Sequence, residues 1–308
     1  MATLTMPPAA RTASIPPWQG WLPAVLLPVA VALLVPDDWP RWAFMWLFLV
    51  SLYAGWKWLT WRRTTATNVP AWRHLAYLVL WPGLDAAAFL GAMQKPAPAS
   101  PSPGEWLLAA AKQLLGALLL WGVAPLIPRR YELLLGWVGM TGIVFMLHFG
   151  AIHLLSCLWR TLGVDARPLM NWPLAATSVS DFWGRRWNTA FRDLTHRFFF
   201  APLLSRVRPA WALAAGFLFS GLVHDVVISL PARGGWGWPT LYFLVQGAAV
   251  LIERSRLGRS LGLSRGWRGW AFTMLVLTVP AYGLFHPPFI REVVIPFLEA
   301  IGASTSDL

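Results

Sequence analysis

Apolar runs of 13 to 29 residues recur along this chain, separated by short segments rich in Arg, Pro and Gly. A helix of about 20 apolar residues crosses the hydrocarbon core of a bilayer. Of the 308 residues, 57% are hydrophobic and only 12% are charged, which no ordinary soluble domain matches. The sequence therefore predicts an all-α polytopic membrane protein with about eight transmembrane helices. The predicted runs are 18–35, 41–59, 74–90, 106–127, 131–159, 209–230, 240–252 and 270–285.

The apolar runs form one unit between two tails. Residues 1–17 are rich in Pro and Ala and are predicted to be a disordered N-terminal tail. Residues 18–290 are predicted to be a single membrane-embedded domain, and residues 291–308 a C-terminal tail. The first run lacks a small-residue cleavage site, so we expect it to be a retained span rather than a signal peptide.

The net charge of +12 comes mostly from Arg. These Arg residues cluster between apolar runs, so anionic lipid head groups or an anionic substrate fit better than nucleic acid. The Arg-rich loops place residues 171–202 and 254–268 on the cytoplasmic side. The Arg- and Ala-rich composition and modest length indicate a bacterial inner (cytoplasmic) membrane.

We predict no metal site. Cys157 is the single cysteine, which excludes an internal disulfide and a site built from several cysteines. His148 and His153 would point about 140° apart on a helix, so they are poor co-ligands.

Residues 171–202 are too polar for a span and too apolar for an ordinary loop. From Asp181 onward they divide at helical spacing into two faces, which predicts an amphipathic helix in the membrane interface. Asp181 lies four residues before Arg185 and can pair with it. Arg side chains bind phosphate, so the polar face is a candidate anion site as well as a candidate lipid anchor. The apolar face holds Trp183, Trp187, Phe191, Leu194 and Phe198, and the polar face holds Asp181, Arg185, Asn188, Arg192 and Thr195.

His224 and Asp225 are adjacent ionisable residues within the run 209–230. Ionisable residues inside a span indicate a functional site. On a helix they point about 100° apart and do not face the same spot. The small residues Ser220 and Gly221 leave room beside the imidazole. A polar pair that holds helices together fits these residues equally well.

Three blocks resemble the wax synthase branch of the membrane-bound O-acyltransferases (MBOAT). They are SDFWGRRWN at 180–188, SGLVHD at 220–225 and FLVQG at 243–247. The resemblance covers about 165–255, and the N-terminal half is similar only in its run of spans. It implies an MBOAT-like enzyme that transfers a fatty acyl group from acyl-CoA to the hydroxyl of a lipophilic alcohol. It further implies that His224 is catalytic and Asn188 is its polar partner. Plant members usually have Glu where this chain has Asp225.

The residue types suit this chemistry. Histidine can take the alcohol proton near neutral pH, and an amide can donate to the developing oxyanion. Arginines can hold the phosphates of CoA. We predict direct transfer in a ternary complex, with acyl-CoA as donor substrate and no further cofactor. The predicted catalytic residues are His224 and Asn188, and the predicted substrate-binding residues are Asp181, Trp183, Arg185, Arg186, Trp187, Arg192, Ser220, Asp225 and Gln246.

Two other classes of function fit parts of the sequence. A transporter or channel would use a polar pathway through its spans, although no inverted repeat is visible. Its pathway would comprise Asp85, His148, His153, His224 and Asp225. A non-catalytic membrane scaffold is the third class. The sequence leaves open the oligomeric state and the acceptor, which could be a fatty alcohol, a sterol, diacylglycerol or another hydroxyl.

Overall fold

A computed structural model describes residues 20–91 and 99–304. The predicted tail 1–17 and part of the loop 94–104 lie outside these ranges. Within them the chain is helical and forms no strand. The helices are α1 Trp21–Leu34, α2 Arg41–Arg62, α3 Ala71–Leu80, α4 Ala86–Leu90, α5 Pro103–Leu126, α6 Arg129–Thr161, α7 179–186, α8 189–204, α9 Pro209–Ala232, α10 Trp238–Arg254, α11 Arg256–Leu261, α12 Gly266–Leu284 and α13 Pro287–Ala300.

Three helices in the described part of the chain, α5, α6 and α9, are long and apolar enough to cross a membrane. The pair α12 and α13 meets the same criterion together and is bent by 62°. On α5, Leu107 and Leu114 are 72% and 69% exposed, as side chains facing lipid are. These features agree with an integral membrane protein. The prediction of about eight spans is not confirmed, because the remaining helices are too short or too polar.

The third apolar run is broken into α3 and α4. Asp85 caps α4 by accepting a hydrogen bond from the Ala88 amide at 3.0 Å. The buried Lys57 spans the break, since its Nζ donates to the Trp81 carbonyl at 2.9 Å and the Gly83 carbonyl at 2.7 Å. Its Nζ also lies 3.2 Å from the centroid of the Tyr77 ring. The two carbonyls within the break are thus paired with a buried lysine side chain.

The C-terminal segment, predicted as a tail from residue 291, differs from that expectation through Ala300. Ile295 and Leu298 of α13 are 1% and 0% exposed. An added Cβ at Gly136 would lie 2.2 Å from Ile290, and one at Gly139 would lie 2.3 Å from Leu298. Close approach along the glycines of α6 therefore builds α13 into the core.

Two apolar clusters meet along α9. One contains Ile228 and joins the end of α9 to α13, the start of α10, the first half of α6 and the ends of α5 and α12. The other joins α1 to α4, the end of α6 and the start of α8, and Val223 packs against it. His224 follows Val223, so it lies where the two halves of the core meet.

Candidate active site

The short helix α7 is organised around the buried carboxylate of Asp181. Arg185 Nε donates to Oδ1 at 2.9 Å, which confirms the predicted pair, and Arg186 Nε donates to Oδ2 at 2.5 Å. Arg186 also donates to the carbonyls of Asn171 and Trp172, at 3.4 and 3.1 Å. Arg186 therefore ties the segment together, whereas the Arg185 side chain is 76% exposed and available to an anion.

Glu253, which sequence reasoning did not single out, holds the start of α7. Its carboxylate accepts hydrogen bonds from the Val179 amide at 2.7 Å and the Ser180 amide at 2.9 Å. The residue is 1% exposed. A carboxylate at a helix N-terminus is stabilised by the free amides there. The first motif block is thus fixed from the end of α10.

The predicted continuous amphipathic helix is interrupted at Asn188. This residue has φ +39°, a left-handed conformation that Asn tolerates better than most residues. Its Oδ1 accepts a hydrogen bond from the Phe191 amide at 3.2 Å and so caps α8. Its Nδ2 has no partner among the described residues, which leaves that amide free to donate.

In the part of the chain that the structure describes, one ring nitrogen of His224 has a hydrogen-bond partner and the other has none. Nδ1 lies 2.7 Å from the Ser220 carbonyl, which can only accept, so Nδ1 carries the proton. Nε2 therefore keeps its lone pair, and this is the tautomer in which Nε2 can act as a general base. The half-buried ring packs against Phe243 at 4.4 Å and against Phe191 at 6.3 Å, centroid to centroid. Phe191 lies in the turn that Asn188 caps, so the two predicted catalytic residues are linked through one ring.

The Asp225 side chain points toward the start of α10, and both of its carboxylate oxygens accept hydrogen bonds from the protein. Oδ1 accepts from the Ser229 hydroxyl at 3.0 Å and the Gly237 amide at 2.9 Å. Oδ2 accepts from the Thr240 amide at 3.1 Å and from the Thr240 hydroxyl. The carboxylate thus caps the start of α10. The sequence allowed two interpretations of the His224–Asp225 pair, and for Asp225 the contacts fit the one in which a polar residue holds helices together.

His286 completes this junction. Its Nδ1 accepts from the Phe289 amide at 3.2 Å, and its Nε2 lies 3.2 Å from the Ser229 hydroxyl. The residue is 2% exposed. Gly235 lies flat on the ring, where an added Cβ would be 2.4 Å from three ring carbons. From the sequence alone, His286 was recognisable only as the residue that follows the apolar run 270–285, and its role at this junction was not predicted.

Turn geometry also distinguishes this part of α9. Residues Asp225–Ser229 form a π-helical turn directly after His224. Such turns hold one extra residue and occur frequently at functional sites. The turn carries Asp225 and Ser229 toward the junction with α10 and α13.

The polar atoms of several predicted substrate-binding residues are paired within the protein. Trp183 Nε1 donates to Gln246 Oε1 at 3.3 Å, and the buried Gln246 donates in turn to the Val276 carbonyl at 2.9 Å. Trp187 stacks on Phe182. The Ser220 hydroxyl donates to the Gly216 carbonyl at 3.0 Å. These side chains build the frame around His224, and their contact with substrate stays a prediction.

A cavity of about 880 Å³ lies beside this frame. The α3–α4 break, α5, α6, the 165–172 segment and the start of α8 form its walls, and Asp85 therefore both caps a helix and faces a cavity. Among the described residues His224 and Asn188 do not line it, but Thr189 and Ala190 do. Its ionisable lining residues are Asp85, Glu105, Lys112, His153, Arg160, Asp165, Arg167, Arg185, Arg192 and Asp193.

Arg192 is held in place at this cavity. Its Nε donates to Asp193 at 2.8 Å and its Nη1 to the Gly184 carbonyl at 2.8 Å. Burial raises the pKa of the Asp193 carboxyl above its ordinary value although Arg192 opposes the shift. The cavity thus brings Arg185 and Arg192 together, while Arg186 faces the loop carbonyls.

Comparison with known proteins supports the assignment of the motif blocks. Residues 166–245 match the family described as "Membrane bound O-acyl transferase family". The long-chain-alcohol O-fatty-acyltransferase of Simmondsia chinensis is 34% identical over 144 residues, which are 43% of this chain and 41% of that protein. The probable long-chain-alcohol O-fatty-acyltransferase 9 of Arabidopsis thaliana is 35% identical over 145 residues, 42% of each chain.

The probable long-chain-alcohol O-fatty-acyltransferase 3 of Arabidopsis thaliana is 32% identical over 171 residues, 51% of this chain and 48% of that protein. The matches thus span about two fifths to half of the length of these relatives. Over this part of the chain, the predicted resemblance to the wax synthase branch is confirmed.

Proposed function

We propose that this chain is a membrane-bound O-acyltransferase that transfers a fatty acyl group from acyl-CoA to the hydroxyl of a long-chain alcohol. The observation that carries the proposal is the state of His224: Nδ1 is hydrogen-bonded to the Ser220 carbonyl, and Nε2, within an aromatic frame, has no partner among the described residues. The relatives in Simmondsia and Arabidopsis, whose names describe this reaction, support the choice of substrates. They give no support to a transporter.

The proposed reaction is direct. His224 Nε2 takes the proton of the alcohol as its oxygen attacks the thioester carbonyl. The tetrahedral oxyanion accepts a hydrogen bond from Asn188 Nδ2. As the carbon–sulfur bond breaks, the imidazolium returns the proton to the departing CoA thiolate. Alcohol and acyl-CoA become ester and CoA, and His224 is regenerated.

The substrates would occupy different surroundings. The phosphates of CoA would enter the polar cavity beside α8, where Arg185 and Arg192 can bind them. The acyl chain and the alcohol tail would lie among the apolar helices. No further cofactor is required by these steps.

The proposal includes a membrane arrangement. About eight spans and the amphipathic segments α7 and α8 at the cytoplasmic interface would place the cavity toward cytoplasmic acyl-CoA. The Arg- and Ala-rich composition supports a bacterial inner membrane, whereas the named relatives are plant proteins.

Ester formation by membranes supplied with labelled palmitoyl-CoA and hexadecanol tests this function. His224→Ala should lower the rate by at least about a hundredfold because the general base is lost. The variant should remain folded in the membrane. His196→Ala, an exposed histidine on α8, is the matched control and should keep full activity. Retained activity in His224→Ala would exclude His224 as the base, and no ester from the unaltered protein would refute the function.

A further inference from the structure

Lys112 projects from α5 into the polar cavity and is half-buried there. Its Nζ lies 3.4 Å from His153 Nδ1 and 5.5 Å from the centroid of the Trp172 ring. Neither partner is an anion. Among the residues that the structure describes, Lys112 forms no ion pair with a carboxylate.

The neighbours of Lys112 explain why its charge stays unmatched. An ammonium only donates, so His153 Nδ1 accepts from it and His153 Nε2 donates to Glu105 Oε1, 3.1 Å away. Arg160 binds the same carboxylate oxygen. Glu105 is therefore neutralised by Arg160, and the group of four side chains keeps one net positive charge on the cavity side.

The other cationic side chains that line the cavity differ from Lys112 in this respect. Each arginine has a carboxylate partner within the described residues. The pairs are Arg160 with Glu105, Arg167 with Asp165, Arg185 with Asp181, and Arg192 with Asp193. Lys112 is thus the cation in this wall that can gain a full ion pair from a ligand.

A metal ion is not the ligand that this site favours. The ligand atoms of Glu105, His153 and Cys157 lie within 4.8 Å of one another, as metal ligands can. However, Arg160 already binds Glu105 and Lys112 already binds His153. A divalent cation would have to displace two cations, whereas an anion would join them.

We propose that Lys112, oriented by His153, binds a phosphate group of the acyl donor at the α5–α6 wall of the cavity. This inference rests on the proposed function, since acyl-CoA is the anion that the function brings to the site. Arg185 and Arg192, which line the same cavity, would meet other charges of the same molecule. A charge-assisted hydrogen bond from an ammonium to phosphate is strong when both groups are partly desolvated.

A donor series separates this contact from a general defect. Initial rates are measured with palmitoyl-CoA, palmitoyl-dephospho-CoA and palmitoyl-pantetheine, which carry progressively fewer phosphates. The protein is held in phosphatidylcholine nanodiscs, so that no anionic lipid competes. Lys112→Gln should raise KM about tenfold for palmitoyl-CoA and leave KM for the phosphate-free donor unchanged. Lys112→Arg should restore binding, and Arg291→Gln, remote from the cavity, should change nothing.

The outcomes distinguish the two proposals. An equal change of KM for all three donors, or no change for any, would overturn the role of Lys112 and leave the acyl transfer standing. If the unaltered protein makes no ester, acyl transfer fails instead. In that case the binding of coenzyme A itself, measured by microscale thermophoresis, tests whether Lys112 binds a phosphate group. A tenfold weaker affinity in Lys112→Gln supports the site, and an unchanged affinity refutes it.

Discussion

Two neighbouring regions around α9 differ in how completely their side-chain polar atoms are hydrogen-bonded within the protein. Around Asp225, Ser229 and His286, every side-chain polar atom has a partner within the protein. The side chains of His224 and Asn188 each have one polar atom in a hydrogen bond and one without a partner in residues 20–91 and 99–304. The first region joins α9 to α10 and α13, and the second faces the space between α8 and α10.

The difference separates two uses of a buried polar group. A fully paired group stabilises the fold, because removing it leaves its partners unsatisfied. A half-paired group is oriented by its committed atom while its free atom can meet a substrate. Substitutions can therefore be chosen to remove either kind of atom, and the two kinds should give different readouts.

The largest effect is expected from Asp225→Ala. Four donors would lose their acceptor in a buried site, so the free energy of unfolding should fall by about 3 kcal/mol or more. Thermal unfolding of the solubilised protein measures this, and Asp225→Asn should give a smaller loss. If the Asp225→Ala protein kept its melting temperature but made no ester, the carboxylate would take part in the reaction. The contrast between the region around Asp225 and the region around His224 would then be wrong.

Asn188→Asp removes the free atom and keeps the committed one. Asp caps a helix as well as Asn does, so the melting temperature should hold. Ester formation should fall about a hundredfold because the oxyanion donor is lost. Rates and melting curves on the same preparation test both statements. Wild-type activity in this variant would show that Asn188 serves only as a cap.

The smallest effect is expected from His286→Phe, which keeps a flat aromatic ring and removes two hydrogen bonds. The free energy of unfolding should fall by about 1–2 kcal/mol, measured by denaturation in detergent. KM and kcat of the remaining folded protein should not change, because His286 touches no free atom of the site. A loss of kcat without a loss of stability would instead show that His286, at the start of α13, contributes to the reaction.

Local features of the site were predictable from the sequence. The Asp181–Arg185 pair follows from a spacing of four residues, and the motif blocks identified the region around His224. The break at Asn188 was missed because the periodicity continues across it without Gly or Pro. Asn followed by Thr was the available signal, since Asn favours both the left-handed conformation and the cap position.

Long-range pairings could not be read from the chain. Glu253 binds amides 73 and 74 residues earlier, His286 meets Ser229 57 residues away, and Lys112 meets His153 41 residues away. Each residue by itself fits a helix end or a loop. Only the packing of α5, α6, α9, α10 and α13 brings these partners together.

The π turn at Asp225–Ser229 has a consequence for how the chain tolerates length changes. Because this turn holds one surplus residue, deleting a single position within it would restore regular α-helical winding. The segments before and after the turn would keep their relative orientation, because the turn already absorbs the surplus residue within itself. Only the positions inside the turn would be rearranged, and these include Asp225 and Ser229, which bind the start of α10 and His286. A one-residue gap here in an otherwise similar span would therefore mark a protein that keeps the histidine and joins its following helices by other contacts.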